Sequence, residues 1–140
     1  MNYGEILSLF LIDLNSLFRK NIKIKDASFQ QLIALSIIPP SGIEMTPLAK
    51  KIGIDNSTLT RLIIRLEKNG WVSRELSRHD KRVINVKLTN TGNKVQSDLD
   101  KQYEKIGDKV EQLISPLERQ ETLQYIQSLH WILLKMNLKI

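Results

Sequence analysis

The stretch "STLTRLIIRLEK", residues 57 to 68, gathers hydroxyls and guanidinium groups on one side of a helix. At steps of three and four, Ser57, Thr60, Arg61, Ile64, Arg65 and Lys68 share that side, with Thr58 at its flank. Leu59, Leu62, Ile63 and Leu66 take the opposite side as the buried face. The outward set suits the reading of base edges. An arginine fork matches the two acceptors of guanine, hydroxyls pair with several bases, and a helix N-terminus favours phosphate. Carboxylates are nearly absent there. Ile64 is the apolar exception; it either meets a thymine methyl or packs under the neighbouring hairpin.

A second cationic stretch follows. In "SRHDKRVINVKLT", residues 77 to 89, a polar run holds Arg78, Lys81 and Arg82 around one acid, Asp80, and then Ile84 to Thr89 alternates apolar and polar as a half-buried strand does. The formal net charge is +6, and its placement is uneven. Residues 45 to 94 hold eleven bases against four acids, whereas 1 to 44 hold four of each and 95 to 140 hold six bases and seven acids. All of the excess lies in the middle third. Concentrated positive charge attracts polyanions, nucleic acid first and anionic membrane surface second.

Several elements must position these groups. Tyr3, Ile6, Leu7, Phe10, Leu11, Leu14, Leu17 and Phe18 form one helical stripe, with Leu9 and Ile12 starting a second, so the first helix needs cover on two sides. Asp26 to Ile38 reads as a second helix ended by Pro39-Pro40. Thr46 at the N-cap and Pro47 at the first position start a third, which closes at Gly53; Asp55 or Asn56 caps a fourth, through about Asn69. Trp71 to Leu76 and Val83 to Thr89 read as two strands. Thr89 then caps a long helix through Ile114, and Ser115-Pro116-Leu117-Glu118 reads as a capping box that opens a last, strongly apolar helix.

At 140 residues the chain suits one domain, residues 1–140. Without cysteine it holds no disulfide and no thiolate metal site, and its two histidines, His79 and His130, form no metal or acid–base constellation with visible spacing. No cofactor, no metal and no enzymatic activity are expected. No uncharged apolar run approaches the roughly 18 residues of a spanning helix, and Glu5 and Asp13 stand where a signal peptide would carry cations; a cytoplasmic protein with no membrane role is expected.

The order of residues 45 to 70 resembles the helix-turn-helix of bacterial regulators. Leu48, Ala49, Ile52, Gly53, Ile54, Leu59 and Leu62 meet its pattern of apolar positions, a small residue where two helices touch, and glycine where the turn tightens. More widely, the chain is similar to the MarR/SlyA family of winged helix-turn-helix regulators. The similarity rests on Leu66-Glu67-Lys68-Asn69-Gly70-Trp71-Val72, on the Asp80-Lys81-Arg82 tip, and on Leu88-Thr89 followed by Gly92.

That resemblance implies a mainly α fold with a small β-hairpin wing. It also implies that residues 26–92 form the DNA-binding lobe and that the helices of 1–25 and 93–140 pair two chains into a homodimer. It further implies that Asn56, Ser57, Thr58, Thr60, Arg61, Arg65 and Lys68 face double-stranded DNA from the recognition helix. In the wing, Arg82 is the residue that enters the minor groove, Asp80 holds Arg82 or the tip, and Arg74, Arg78, Lys81 and Lys87 meet phosphates. The expected function is a transcriptional regulator, a repressor on an inverted repeat, with an unidentified small-molecule effector near the first, second and fifth helices. A reading of another class is a winged-helix scaffold whose basic face meets an acidic protein partner.

Overall fold

A computed structural model describes residues 1–139; Ile140, the last residue of the predicted 93–140 segment, lies outside it. The chain is mainly helical with a small antiparallel sheet, in the order α1 (Tyr3–Asn21), α2 (Phe29–Ser36), β1 (Ile43–Glu44), α3 (Met45–Ile52), α4 (Asn56–Lys68), β2 (Val72–Leu76), β3 (Ile84–Leu88), α5 (Asn90–Leu113), and, after a 3-10 turn over Pro116–Glu118, α6 (Arg119–Lys139). It forms two compact units, Met1–Tyr103 and the chain from Glu104 onward.

In the first unit, α2, α3 and α4 pack on the sheet and on the first half of α5. Leu35, Ile38, Leu48, Leu59, Ile63, Leu66, Val86 and Leu99 are fully buried among them. Of the predicted inward face of α4, Leu59, Ile63 and Leu66 are buried and Leu62 is half-buried. Ala49 sits on α3 where that helix meets α4, and its carbonyl accepts the N–H groups of Gly53 at 2.9 Å and Ile54 at 3.1 Å. Gly53, at φ 82°, takes the left-handed conformation that ends α3, which glycine adopts without steric cost.

Three helix starts differ from the sequence reading. The helix expected from Asp26 begins at Phe29: Asp26 is left-handed at φ 68°, and Ser28 caps α2 in a reciprocal box with Gln31. Thr46 is not a cap. Glu44 precedes α3 without a side-chain cap bond, which places Thr46 and Pro47 inside the first turn, where the N–H that proline lacks has no helical partner to lose. The cause is a third strand absent from the sequence reading. In the order β1-β3-β2, Ile43 pairs with Val86 and Glu44 with Asn85, so the N-cap position of α3 falls on a strand residue, Glu44. Ser115 likewise makes no side-chain cap, and Pro116–Glu118 forms a 3-10 turn before α6.

Thr89 does cap α5. Its Oγ1 accepts the Gly92 N–H at 3.0 Å and donates to the Gly70 carbonyl at 2.6 Å, while its own N–H reaches the Trp71 carbonyl at 3.0 Å. Gly92 is required by this junction, because a Cβ there would stand 1.8 Å from the Trp71 carbonyl oxygen.

Both terminal helices leave apolar side chains exposed in the single chain. On α1 these include Phe10, Leu11, Ile12 and Leu14, and on α6 they include Ile126, Trp131, Ile132 and Met136. Among the described residues no helix is long and apolar enough to cross a membrane, and no cluster of histidine or carboxylate residues is arranged to hold a metal ion.

Candidate nucleic-acid interface

The N-terminus of α4 is organised by Asp55. Its Oδ1 accepts the Thr58 N–H at 2.6 Å and the Ser57 hydroxyl at 2.8 Å. The backbone bond from Thr58, then the side-chain bonds from Thr58 and Ser57, hold the Asp55 carboxyl at a pKa of about 2. Asn56, the other candidate cap, is the first helical residue. Thr60 bonds back to the Asn56 carbonyl at 2.8 Å, which fixes its hydroxyl. Asn56, Ser57, Arg61, Arg65 and Lys68 are exposed; Thr58, Thr60 and Ile64 are half-buried.

The wing is the β2–β3 hairpin, with Val72 opposite Leu88, Arg74 opposite Val86 and Leu76 opposite Ile84. Strand alternation puts these six on one face. Nearer the root, Val72 and Val86 are buried, and Arg74 reaches α4: its Nη2 donates to Glu67 Oε1 at 3.0 Å and its Nε to Oε2 at 3.3 Å. The Arg74 bond is the main cause that lowers the Glu67 pKa. Arg74, expected at a phosphate, thus has its fork occupied by a carboxylate and braces the wing against α4. Toward the tip, Leu76 and Ile84 lose this cover and are exposed.

At the tip, Asp80 Oδ1 accepts both the backbone N–H of Arg82 at 3.0 Å and its Nε at 3.1 Å. These bonds, the side-chain one first, lower the Asp80 pKa. The Arg82 side chain is nonetheless 90% exposed, so it is oriented without being covered. Arg78, Lys81 and Lys87 are exposed as well.

An open cleft of about 280 Å³ brings the two elements together: Asn56 and Thr60 of α4 line it beside Arg82, Val83 and Ile84 of the wing and Glu44, Met45 and Thr46 at the start of α3. Thr46 and Ile84 were missed as site residues. The alternation of β3 contained the signal for Ile84, whereas that for Thr46 required knowing where α3 begins. A second addition is Asn69, whose Nδ2 donates to the Asp26 carbonyl at 2.9 Å, joined by Arg65 Nε at 3.4 Å. Arg65 is therefore tethered to the α1–α2 connection, while Arg61 forms no side-chain hydrogen bond among the described residues.

Residues 31–84 match the profile of the MarR family. The chain is 35% identical over 99 residues to the uncharacterized HTH-type transcriptional regulator YfiV of Bacillus subtilis (strain 168), an alignment covering 68% of this chain and 60% of that relative. It thus spans less than two-thirds of the relative's length. In three dimensions it is similar to the crystal structure of MarR, with a TM-score of 0.83 and 20% identity over 100% of this chain and 96% of that one. It is also similar to Streptococcus pneumoniae FabT, solved in complex with DNA, with a TM-score of 0.76 and 20% identity over 96% of this chain and 99% of that one. These likenesses establish a shared winged-helix fold. The profile match across α2 to β3 and the 35% identity to that relative make this lobe similar to that of MarR-family regulators.

Proposed function

We propose that the protein is a sequence-specific, double-stranded DNA-binding transcriptional regulator that acts in the cytoplasm as a homodimer on an inverted repeat. The observation that carries this reading is the shared cleft in which an ordered, fully presented Arg82 stands beside Asn56 and Thr60, on a lobe holding all of the chain's excess positive charge. In it, α4 lies in the major groove with Arg61 as its free base-reading fork, Arg82 enters the minor groove alongside, and Arg78, Lys81, Lys87 and Lys68 meet phosphates. FabT, on the same fold, was solved in complex with DNA, which supports DNA binding.

The exposed apolar faces of α1 and α6 are the surfaces on which a second copy would dock, setting the two α4 helices about 34 Å apart. Repression follows by occlusion of a promoter. A small-molecule effector would bind where the first, second and fifth helices meet, at the rings of Phe18, Phe29 and Tyr103, whose centroids are 6.3 Å (Phe18–Phe29) and 5.6 Å (Phe18–Tyr103) apart; it would act by favouring a conformation that does not fit DNA.

The test is binding of labelled duplex DNA at several salt concentrations, with solution mass measured in parallel. DNA recognition requires affinity that falls steeply with salt and a genomic site held far tighter than random duplex. Weak, equal binding to every duplex would instead favour the acidic-protein scaffold, and a monomer at micromolar concentration would remove the dimer.

A further inference from the structure

The connection between α1 and α2 contains Ile22-Lys23-Ile24-Lys25, and it alternates as an extended chain does: Ile22 is buried, Ile24 half-buried, and both lysines are exposed. Alternation puts Lys23 and Lys25 on one side, with Cα atoms about 7 Å apart. The segment is held at both ends. Gln102 of α5 pairs with Lys23 as a neighbouring strand would: the Lys23 N–H donates to Gln102 Oε1 at 2.7 Å, and Gln102 Nε2 donates to the Lys23 carbonyl at 3.1 Å. At the other end, the left-handed Asp26 gives its carbonyl to Asn69 and Arg65 of α4.

At 100° per residue, Arg65 and Asn69 lie on one flank of the outward face of α4, and Thr60 and Glu67 on the other. The wing is fastened to the second flank through Arg74 and Glu67. Residues 23–26 are fastened to the first. The outward face is therefore framed by two cationic elements rather than one. Asp26 adjoins Lys25 in sequence, and Asp98 accepts from Gln102 at 3.4 Å; among the described residues, neither lysine forms an ion pair.

We propose that Lys23 and Lys25 form a second phosphate-binding site, gripping the DNA backbone on the flank of α4 opposite the wing. The proposal rests on the DNA-binding reading above. A major groove, about 12 Å wide, is bordered by two sugar-phosphate strands. With α4 in the groove and the wing over one border, the other border faces the 23–25 segment. Because the backbone of this segment is held by Gln102 at one end and Asn69 at the other, only the lysine side chains lose freedom on binding. They add affinity and salt dependence without reading sequence.

The experiment compares the wild-type protein, Lys23→Ala/Lys25→Ala, Arg82→Ala, and a charge-matched control, Lys105→Ala/Lys109→Ala, on a fluorescein-labelled random duplex of about 30 base pairs between roughly 50 and 200 mM salt. Melting temperatures verify folding, which neither exposed lysine supports through a side-chain bond. The expected result is a log affinity against log salt slope shallower by about 1.8 per bound chain in the Lys23/Lys25 variant, with the control unchanged. A wild-type slope in that variant, with Arg82→Ala weakened, overturns this site and leaves the DNA-binding reading standing. A wild-type protein that binds no duplex at any salt concentration overturns both.

Discussion

Arg74 on β2 and Glu67 in the last turn of α4 form a two-bond ion pair, at 3.0 and 3.3 Å, that fixes the angle between the wing and the helix beside it. A partly exposed pair of this kind adds at most about 1 kcal/mol of stability, so its main effect is geometric. If Arg74 were a phosphate ligand, Glu67→Gln would free it and strengthen binding. As a brace, Glu67→Gln and Arg74→Ala should each weaken DNA binding, by roughly fivefold for about 1 kcal/mol of lost positioning. Titration of the two variants distinguishes these outcomes. The Glu67 pKa is depressed in the folded state, so the brace is complete above its ordinary value of 4.5 and is lost as pH falls through the lower folded value.

Arg82→Ala should lower DNA affinity about tenfold or more while leaving the melting temperature unchanged, because its side chain is 90% exposed and supports nothing but the tip. Asp80→Asn should cost less, since the guanidinium survives and only its orientation is lost. In the double variant the second substitution should add nothing further, a coupling that a double-mutant cycle measures.

Arg61 and Arg65 should behave differently despite their shared face. Arg61→Ala should relax the preference at one base pair of each half-site by roughly 1–3 kcal/mol. Arg65→Ala, whose Nε is engaged by the Asp26 carbonyl, should weaken all sequences alike. Affinity measured over single-base variants of a selected site separates the two.

Asp55 supplies a cap whose charge survives to low pH. With its folded pKa at about 2 against an ordinary 3.8, its contribution is complete above the ordinary value and disappears as pH falls toward 2. Asp55→Asn retains a capping oxygen without the titration, so the melting temperature of the wild type should fall more steeply than that of the variant between about pH 5 and 2. Asp55→Ala should be the least stable of the three at neutral pH.

Gly92→Ala should destabilise the protein by about 3 kcal/mol or more, because the new methyl group overlaps the Trp71 carbonyl and that backbone is itself bonded to Thr89. Chemical denaturation measures the loss.

The extent of α4 and most of its buried face were legible because they depend on local period: Leu59, Ile63 and Leu66 repeat at helical steps and are flanked by a capping acid and a glycine. Of the two long wing strands, the second was legible by alternation. What could not be read depends on partners distant in sequence. β1 has only two residues, too few to show a period, and exists because β3 offers it an open edge. Its presence moved the start of α3 and turned an apparent Thr46 cap into a helical residue. In the same way, Arg74 looked like one more cation until the fold brought Glu67 to it, and nothing near Asp26 in the sequence announces that its carbonyl joins Arg65 and Asn69.

The Thr89 hydroxyl, bonded to Gly70 on one side and Gly92 on the other, clasps the chain where it leaves α4 and where it returns as α5. Between those two points the wing is held again at its root, by the Arg74–Glu67 pair and by β1 on β3. Residues added to or deleted from its far end around Ser77–Val83 should change how far the arm extends while these fastenings at its root stay in place. Such an arm is free to vary in length between cousins without disturbing the body that carries it.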